Sequence, residues 1–453
     1  MRARRLSDIA RVSGGTLRGE DVVVSGAAAD SREVREGDLF VAISGERVDG
    51  HDFLEDAANR GAAAALVARD VEGPLPVVEV PDTGAALLAI AADERASMRA
   101  HVVGITGSTG KTSVKDLTAA VLASRFRVTA SPRSFNTEVG VPLTLLGAPH
   151  DAEAVVLEMG SRGPGHVATL CEVARPRIGV VTGVGPAHLE MFGSIEAVAD
   201  AKAELVESLP PEGTAVLNAD DPVVRSFDRR TRSHVIRYAV HSDADVRAED
   251  LTLDPLGRPA FTLHTPAGDE RVELPISGEH MAANALAAAA VGVALGVSPS
   301  ECAAGLKDAR LSPWRMEVVD GAGGIRILND AYNANPTSTA AALKAAKWMA
   351  QGSRSIAVLG EMAELGDRSE EHHERIGELA VRLRIDHLIV VGSGARRIAV
   401  GAVREGVEPD HVVVVDDLDA AADAVRSFAR DGDVVLLKGS RVAGLERMVE
   451  ALR

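Results

Sequence analysis

The sequence predicts an α/β protein of three domains, and three observations lead there. Short apolar runs of strand-forming residues alternate with segments of helical periodicity over most of the chain. One run, at 101–106, empties into a Gly, Ser and Thr-rich turn followed by Lys-Thr and a helical stretch. Five more runs repeat the alternation beyond Pro313. The expected divisions are 1–98, 99–312 and 313–453, and 453 residues are enough to give each part its own core.

In the first part, Leu6 to Val12 reads as a short helix and DLFVAISG as a strand ending at Gly45. HDFLEDAANRGAAAALVA reads as a helix stopped by Gly61 and then a strand. The turn clusters AADSR (28–32) and GERVDGH (45–51) fit solvated loops at least as well as a ligand site.

The second part opens on HVVGITGSTGKTSVKDLTAAVLASRF, with Leu117, Val121 and Leu122 on the inward face of its helix. In such a turn the N–H groups of Gly107, Ser108, Thr109 and Gly110 converge, and the helix N-terminus after them adds a positive dipole end. Lys111 would reach the terminal phosphates of a nucleotide and the Thr112 hydroxyl a bridging Mg²⁺. The long phosphate-loop pattern wants Gly at 105 and finds Ile105, leaving the shorter GxxGKT.

FRVTA, AVVLEMG, RIGVVTGVG and TAVLNADD then read as strands of a mostly parallel sheet, whose carboxyl ends are where ligands bind. Glu158 and His188 fall at such ends, on the same edge as Thr112, where each could be a metal ligand or a loop hydrogen-bonding group. Asn218, Asp220 and Asp221 follow TAVL. SIEAVADAKAELVESLP reads as a helix capped by Ser194; its Lys202, from the residues alone, is a solvated lysine. After a β-like insert at 228–276, an Ala-rich helix carries Asn284 in its first turns, placed either to read a purine edge or to pack.

In the third part, IRILND, SIAVLGEM, HLIVVGS, HVVVVDD and DVVLLKGS read as the strands of a doubly wound sheet without GxGxxG after the first. Polar residues gather at strand ends: Asn329, Asp330, Tyr332, Asn333 and Asn335, then Glu361, then Lys438, Ser440 and Arg441. A site between domains is expected.

Composition narrows the classes. A net charge of −17 argues against general nucleic-acid binding, which needs a basic surface. Cys171 and Cys302 have neither metal-ligand nor disulfide spacing and read as reduced core thiols. The start, MRARRLSDIARVSGG, has no apolar run behind its basic cluster, and the apolar stretch 281–297 is short for a span, so a cytoplasmic protein without a membrane span is expected. The residues alone leave a kinase, an ATPase and a ligase open.

The combined motifs resemble the ATP-dependent Mur ligases of peptidoglycan synthesis over nearly the whole chain. The carriers are GITGSTGKTS (104–113), SFNTEVGVPLTLL (134–146), LEMGSRGPGH (157–166), GPAHLEMFGS (185–194), AKAEL (201–205), NADD (218–221), GEHMAANALAA (278–288) and WRMEV (314–318). NDAYNANPTS (329–338), LGEMAELG (359–366) and LLKGSRVAGLE (436–446) resemble the branch that adds D-alanyl-D-alanine to UDP-N-acetylmuramoyl-tripeptide.

The resemblance implies a UDP-substrate domain, an ATP-binding phosphate-loop domain and a Rossmann-like ligase domain. It implies that Gly107 to Ser113 cradle ATP, with Lys111 on the phosphates. Thr112, Glu158, His188 and Lys202, the last as a carbamate, would serve two Mg²⁺ ions. Asn284, Arg315 and Asp330 would take adenine, phosphate and ribose; Asn136, Asn333, Asn335 and Ser338 the peptide or dipeptide; Ser31 and Arg32 the uridine diphosphate end. A monomer is implied. Thr137, Met281, Ala203 and the Ser-Arg-Gly after EMG depart from common forms of the motifs, none of them at Lys111, Glu158, His188 or Lys202. Two rivals stay open: another Mur or folylpolyglutamate-type ligase, and a scaffold that binds ATP and a UDP-sugar without joining anything.

Overall fold

The structure, a computed structural model, describes residues 1–45, 48–186 and 189–453. Glu46 and Arg47 of the GERVDGH turn, and Ala187 and His188, lie outside the described residues. Among the described residues three large sheets follow one another along the chain, besides a two-stranded antiparallel ladder of Arg4–Arg5 with Val23–Val24. The first has five strands in the order Thr16–Arg18, Val77–Glu79, Ala64–Val67, Asp38–Val41 and Gly26–Ala28, parallel except at the Thr16–Arg18 edge. Helix Thr83–Ser97, capped by the Asp82 carboxylate, packs the first sheet's core onto helices Gly140–Gly147 and His166–Ala174 of the next part.

The second sheet has nine strands. From one edge they run Val128–Ala130, Ala154–Glu158, His101–Thr106, Ile178–Val181, Thr214–Asn218, His234–Ala239 and Val246–Leu253, all parallel. Antiparallel strands Pro259–Thr265 and Gly268–Glu273 complete it, so the expected β-like insert extends the main sheet. Strand His101–Thr106 lies between Ala154–Glu158 and Ile178–Val181, where the order of connection reverses, and a crevice opens at such carboxyl ends. Cys171 and Cys302 are free and buried, and burial pushes both thiols up to about 12.

The third sheet has six strands: Glu317–Asp320, Arg326–Asn329, Val434–Lys438, Ser355–Leu359, His387–Val391 and Val412–Val415. Five are the expected parallel runs. The sixth, Glu317–Asp320, is an antiparallel edge that the sequence presented only as part of the WRMEV motif. One apolar cluster runs from helices Lys111–Ala123 and Met281–Ala294 of the second part into helix Pro336–Met349 of the third. On the rim of that seam the indole N–H of Trp348 donates to the Asp254 carbonyl at 2.8 Å. Among the described residues no helix is long and apolar enough to cross a membrane; Met281–Ala294 is the expected buried helix.

Candidate functional site

The phosphate loop leaves strand His101–Thr106 through Gly107 and enters helix Lys111–Ala123 through Gly110. Both glycines have positive φ, 143° and 80°. At Gly107 a Cβ would fall 2.0 Å from the Thr182 hydroxyl, so the backbone passes where no side chain fits. At Gly110 it would fall 2.8 Å from Asn284 Oδ1, which brings the first turns of the Ala-rich helix against the loop. The Ser108 hydroxyl donates to the Gly185 carbonyl at 3.0 Å and fastens the loop to the next strand end.

Helix geometry turns Thr112 toward the carboxyl end of strand Ala154–Glu158. The Thr112 hydroxyl donates to Glu158 Oε2 at 2.6 Å, and Asn136 Nδ2 donates to Oε1 at 2.8 Å. Glu158 is only 1% exposed. Its backbone N–H is held by the Ser131 hydroxyl at 3.2 Å. From the third part, Arg315 Nη2 donates to the Thr112 hydroxyl at 2.7 Å, while its guanidinium lies 4.3 Å over the Tyr332 ring. Tyr332 stacks on Trp314 at 6.4 Å, and Arg441 covers Trp314 at 4.4 Å. The Tyr332 hydroxyl meets Ser134 of the second part.

Two lysines complete the charge pattern. Lys111 Nζ donates to the Gly107 carbonyl at 2.7 Å; burial lowers its pKa, against the Glu158 carboxylate, and Arg315 adds to the lowering. Lys202 is 2% exposed, 6.0 Å from the Phe192 ring. Burial first, and then the charge of Lys111, brings its pKa down to about 7, against the pull of Glu204. The buried amine is therefore no solvated helix lysine. A cavity of about 150 Å³ opens beside Lys111, lined among others by Asn136, Glu138, Ser161, Arg162 and His166.

At the end of strand Arg326–Asn329, Asp330 Oδ2 pairs with Lys438 Nζ at 2.6 Å and Oδ1 accepts from the Met316 N–H at 3.1 Å. Lys438 also donates to the Asn333 carbonyl at 2.6 Å. Asn335 and Ser338 form a reciprocal cap on helix Pro336–Met349, and Asn335 Nδ2 lies 3.4 Å from the Ser108 carbonyl.

The structure thus gathers Lys111, Thr112, Asn136, Glu158, Asn284, Arg315 and Asn335 around the loop, with Lys202 near Lys111. Asp330, Asn333 and Ser338 stand on the facing strand end and helix. Ser31 and Arg32 sit elsewhere, at a turn of the first sheet. Arg32 is bound there to Asp30 at 2.6 Å, and Ser31 to the Asp56 carboxylate. His188 lies outside the described residues. Lys115 was not expected at the site. It is buried, and its Nζ donates to the Ser131 and Arg133 carbonyls, each at 2.7 Å, fixing the turn whose Ser131 and Asn136 hold Glu158. Its position one helical turn after Lys111 was the only signal.

Family models match three consecutive stretches: the Mur ligase family catalytic domain at 23–114, the Mur ligase middle domain at 105–292, and the Mur ligase glutamate ligase domain at 314–441. The chain belongs to the Mur ligase family. This Mur ligase is 44% identical to the UDP-N-acetylmuramoyl-tripeptide–D-alanyl-D-alanine ligase of Mycobacterium bovis, over 93% of its own length and 91% of the relative's. It is 36% identical to the Escherichia coli enzyme of the same name, over 99% and 98%. Among solved structures this Mur ligase superposes on MurF from Acinetobacter baumannii with a TM-score of 0.88 at 27% identity, covering 100% and 99% of the two chains. For the Thermotoga maritima MurF ligase in complex with ADP the TM-score is 0.82 at 30% identity, covering 95% and 97%.

Proposed function

We propose that the protein is an ATP-dependent ligase that adds D-alanyl-D-alanine to UDP-N-acetylmuramoyl-tripeptide, forming a C–N bond and the pentapeptide precursor of peptidoglycan. The observation that carries this reading is the chain Arg315–Thr112–Glu158–Asn136 beside Lys111, built where the second and third sheets meet. The relatives matched along nearly their full length bear that activity in their names. We further propose that it works as a monomer in the cytoplasm and that the three sheets are three domains divided at 98 and 312.

In this reading the N–H groups of Gly107 to Ser113 and the amine of Lys111 hold the phosphates of ATP, Asn284 its adenine, Asp330 its ribose, and Arg315 the transferring phosphate. The Thr112 hydroxyl and the Glu158 carboxylate, 2.6 Å apart, are hard oxygen donors that fit Mg²⁺. A carbamate on Lys202 and the His188 side chain would complete the set for two ions. Bound there, Mg²⁺ would offset the charge that the phosphates and an incoming carboxylate bring together.

The tripeptide carboxylate oxygen attacks the γ-phosphorus, the bond to the β-phosphate oxygen breaks, and ADP leaves. The dipeptide amine then attacks the acyl carbon. The tetrahedral intermediate expels phosphate as the nitrogen loses its proton, leaving the amide. Arg315 and Lys111 keep charge on the transferring group in place, and the Trp314–Tyr332 wall keeps water from the acyl phosphate. Asn136 faces the peptide beside the cavity at Arg162, with Asn333, Asn335 and Ser338 on the dipeptide side. Ser31 and Arg32 receive the uridine diphosphate end.

The deciding assay measures phosphate release from ATP with UDP-N-acetylmuramoyl-tripeptide, with and without D-alanyl-D-alanine. Release that needs both, with a pentapeptide product by mass, is expected. Release indifferent to the dipeptide would favour another Mur or folylpolyglutamate-type ligase, and none at all a non-catalytic scaffold.

A further inference from the structure

A second cavity, of about 410 Å³, lies at the opposite end of the third sheet, where strands Ser355–Leu359, His387–Val391 and Val412–Val415 begin. Its volume is within the range of small-molecule pockets. The proposed reaction has no use for it, since every group placed in that reaction stands at the carboxyl ends of strands or on the loops and helices beside them.

Cationic and imidazole groups dominate its lining: Arg354, Arg430, His387 and His411, against one carboxylate, Asp386. Asp386 is already engaged, accepting from the Ser355 N–H at 2.9 Å and hydroxyl at 2.8 Å and pairing with Lys347 at 3.2 Å. Arg354 is likewise spent, on Asp433 at 2.5 Å and on the Phe428 carbonyl at 2.6 Å. Arg430 is different. Its backbone N–H binds Asp433, but among the described residues its guanidinium has no carboxylate partner. In a protein of net charge −17, a lining arginine whose guanidinium has no carboxylate partner is a cation left to meet an anion from outside.

The rings give the cavity a fixed wall. His387 stacks on Phe428 with centroids 4.2 Å apart and planes 13° off parallel, and His411 lies 5.0 Å from His387. His387 Nδ1 is buried without a hydrogen-bond partner. With Nδ1 closed off, Nε2 is the ring edge left to meet a ligand, and it serves as donor in the tautomer that carries the proton there. Burial first, and then His411 and Arg354, hold the His387 pKa below its usual value against the weaker pull of Asp386 and Asp433, which agrees with a neutral donor.

We propose that this cavity binds one small oxyanion, a carboxylate or phosphate group, between the Arg430 guanidinium and the Nε2 edge of His387, with His411 closing the side. The proposal does not depend on the ligase reading.

The test uses the full-length protein labelled with ¹⁵N-histidine and saturated with Mg·ADP, so that the phosphate loop is filled. Inorganic phosphate and, separately, benzoate are titrated while the His387 and His411 ring resonances are followed at pH 7.5. The expected result is a saturable shift of both rings, with affinity weakened about tenfold or more in Arg430→Ala and in His387→Phe. Arg430 is exposed and its variant should fold as the parent does. The stronger probe tells whether the natural ligand carries phosphate or carboxylate. A non-saturable drift with ionic strength, or an affinity unchanged in Arg430→Ala or, read at the His411 ring, in His387→Phe, would overturn the site.

Discussion

The Arg315 guanidinium donates to the hydroxyl of Thr112, 203 positions away in sequence and on the other side of the seam between the second and third sheets. The same hydroxyl donates to Glu158, so one small side chain joins a cation and a carboxylate. Arg315 is therefore expected to act on the transferring phosphate and not on the fold. Arg315→Ala should cut kcat for ATP-dependent ligation by about a hundredfold while the melting temperature stays close to the parent's. Steady-state kinetics beside a thermal melt checks this; an unchanged kcat would remove Arg315 from the reaction.

Gly107→Ala should fail at the level of nucleotide binding. Its Cβ would need the space of the Thr182 hydroxyl at a φ of 143°. ADP affinity, measured by calorimetry, is expected to drop at least about tenfold. Thr182→Ala in the same chain should recover part of it by making room.

Lys202, with a pKa of about 7, is about half neutral at pH 7, and a neutral amine is the form that attacks CO₂ to give a carbamate. A ¹³C resonance in the carbamate range should grow in ¹³CO₂-equilibrated protein and vanish in Lys202→Ala, whose activity short carboxylates should partly restore. The unmodified lysine also has a pH signature. Its folded pKa lies below its unfolded value of 10.5, so the fold pays a penalty that is full below about pH 7 and fades as pH rises toward 10.5. In CO₂-free buffer, Lys202→Met should raise the melting temperature more at pH 6.5 than at pH 9.5.

Lys438 and Asp330 form a buried pair at 2.6 Å. Removing one partner strands the other, so Lys438→Met should cost about 3–5 kcal/mol in urea unfolding. The double variant Lys438→Met, Asp330→Asn should recover a good part of that. Equal losses in the single and double variants would mean that the pair contributes nothing beyond its hydrogen bonds to the Asn333 and Asp330 carbonyls.

Much of this architecture was legible because its signals are local. Strand 101–106, the loop glycines and the helix after Lys111 announce themselves within a few residues, as do the five parallel runs of the third sheet. Edge strand Glu317–Asp320 was not legible, since four half-polar residues gain strand character only by pairing with Arg326–Asn329. The same holds at the site. Thr112 and Glu158 could be placed on one edge from strand ends alone. The burial of Lys202, and the charge of Lys111 that lowers its pKa further, come from the fold, and its residue type and helix position suggested the opposite. Lys115 needed the turn at 131–133, which no spacing rule connects to it. Asn335 and Ser338 read as ligand-facing side chains, and in the structure each is also bound to the other's backbone N–H as a helix cap.

The chain has two tryptophans, and both stand at the seam where the second and third sheets meet. Trp314, beside Arg441 and Tyr332, precedes the Arg315 that reaches Thr112 of the phosphate loop, and Trp348 reaches across to Asp254. Every photon of indole emission from this protein therefore originates at one internal frontier. Its colour and intensity form a built-in optical gauge of whether the two halves are joined or parted, readable in unlabelled protein on the timescale of a stopped-flow mixing experiment.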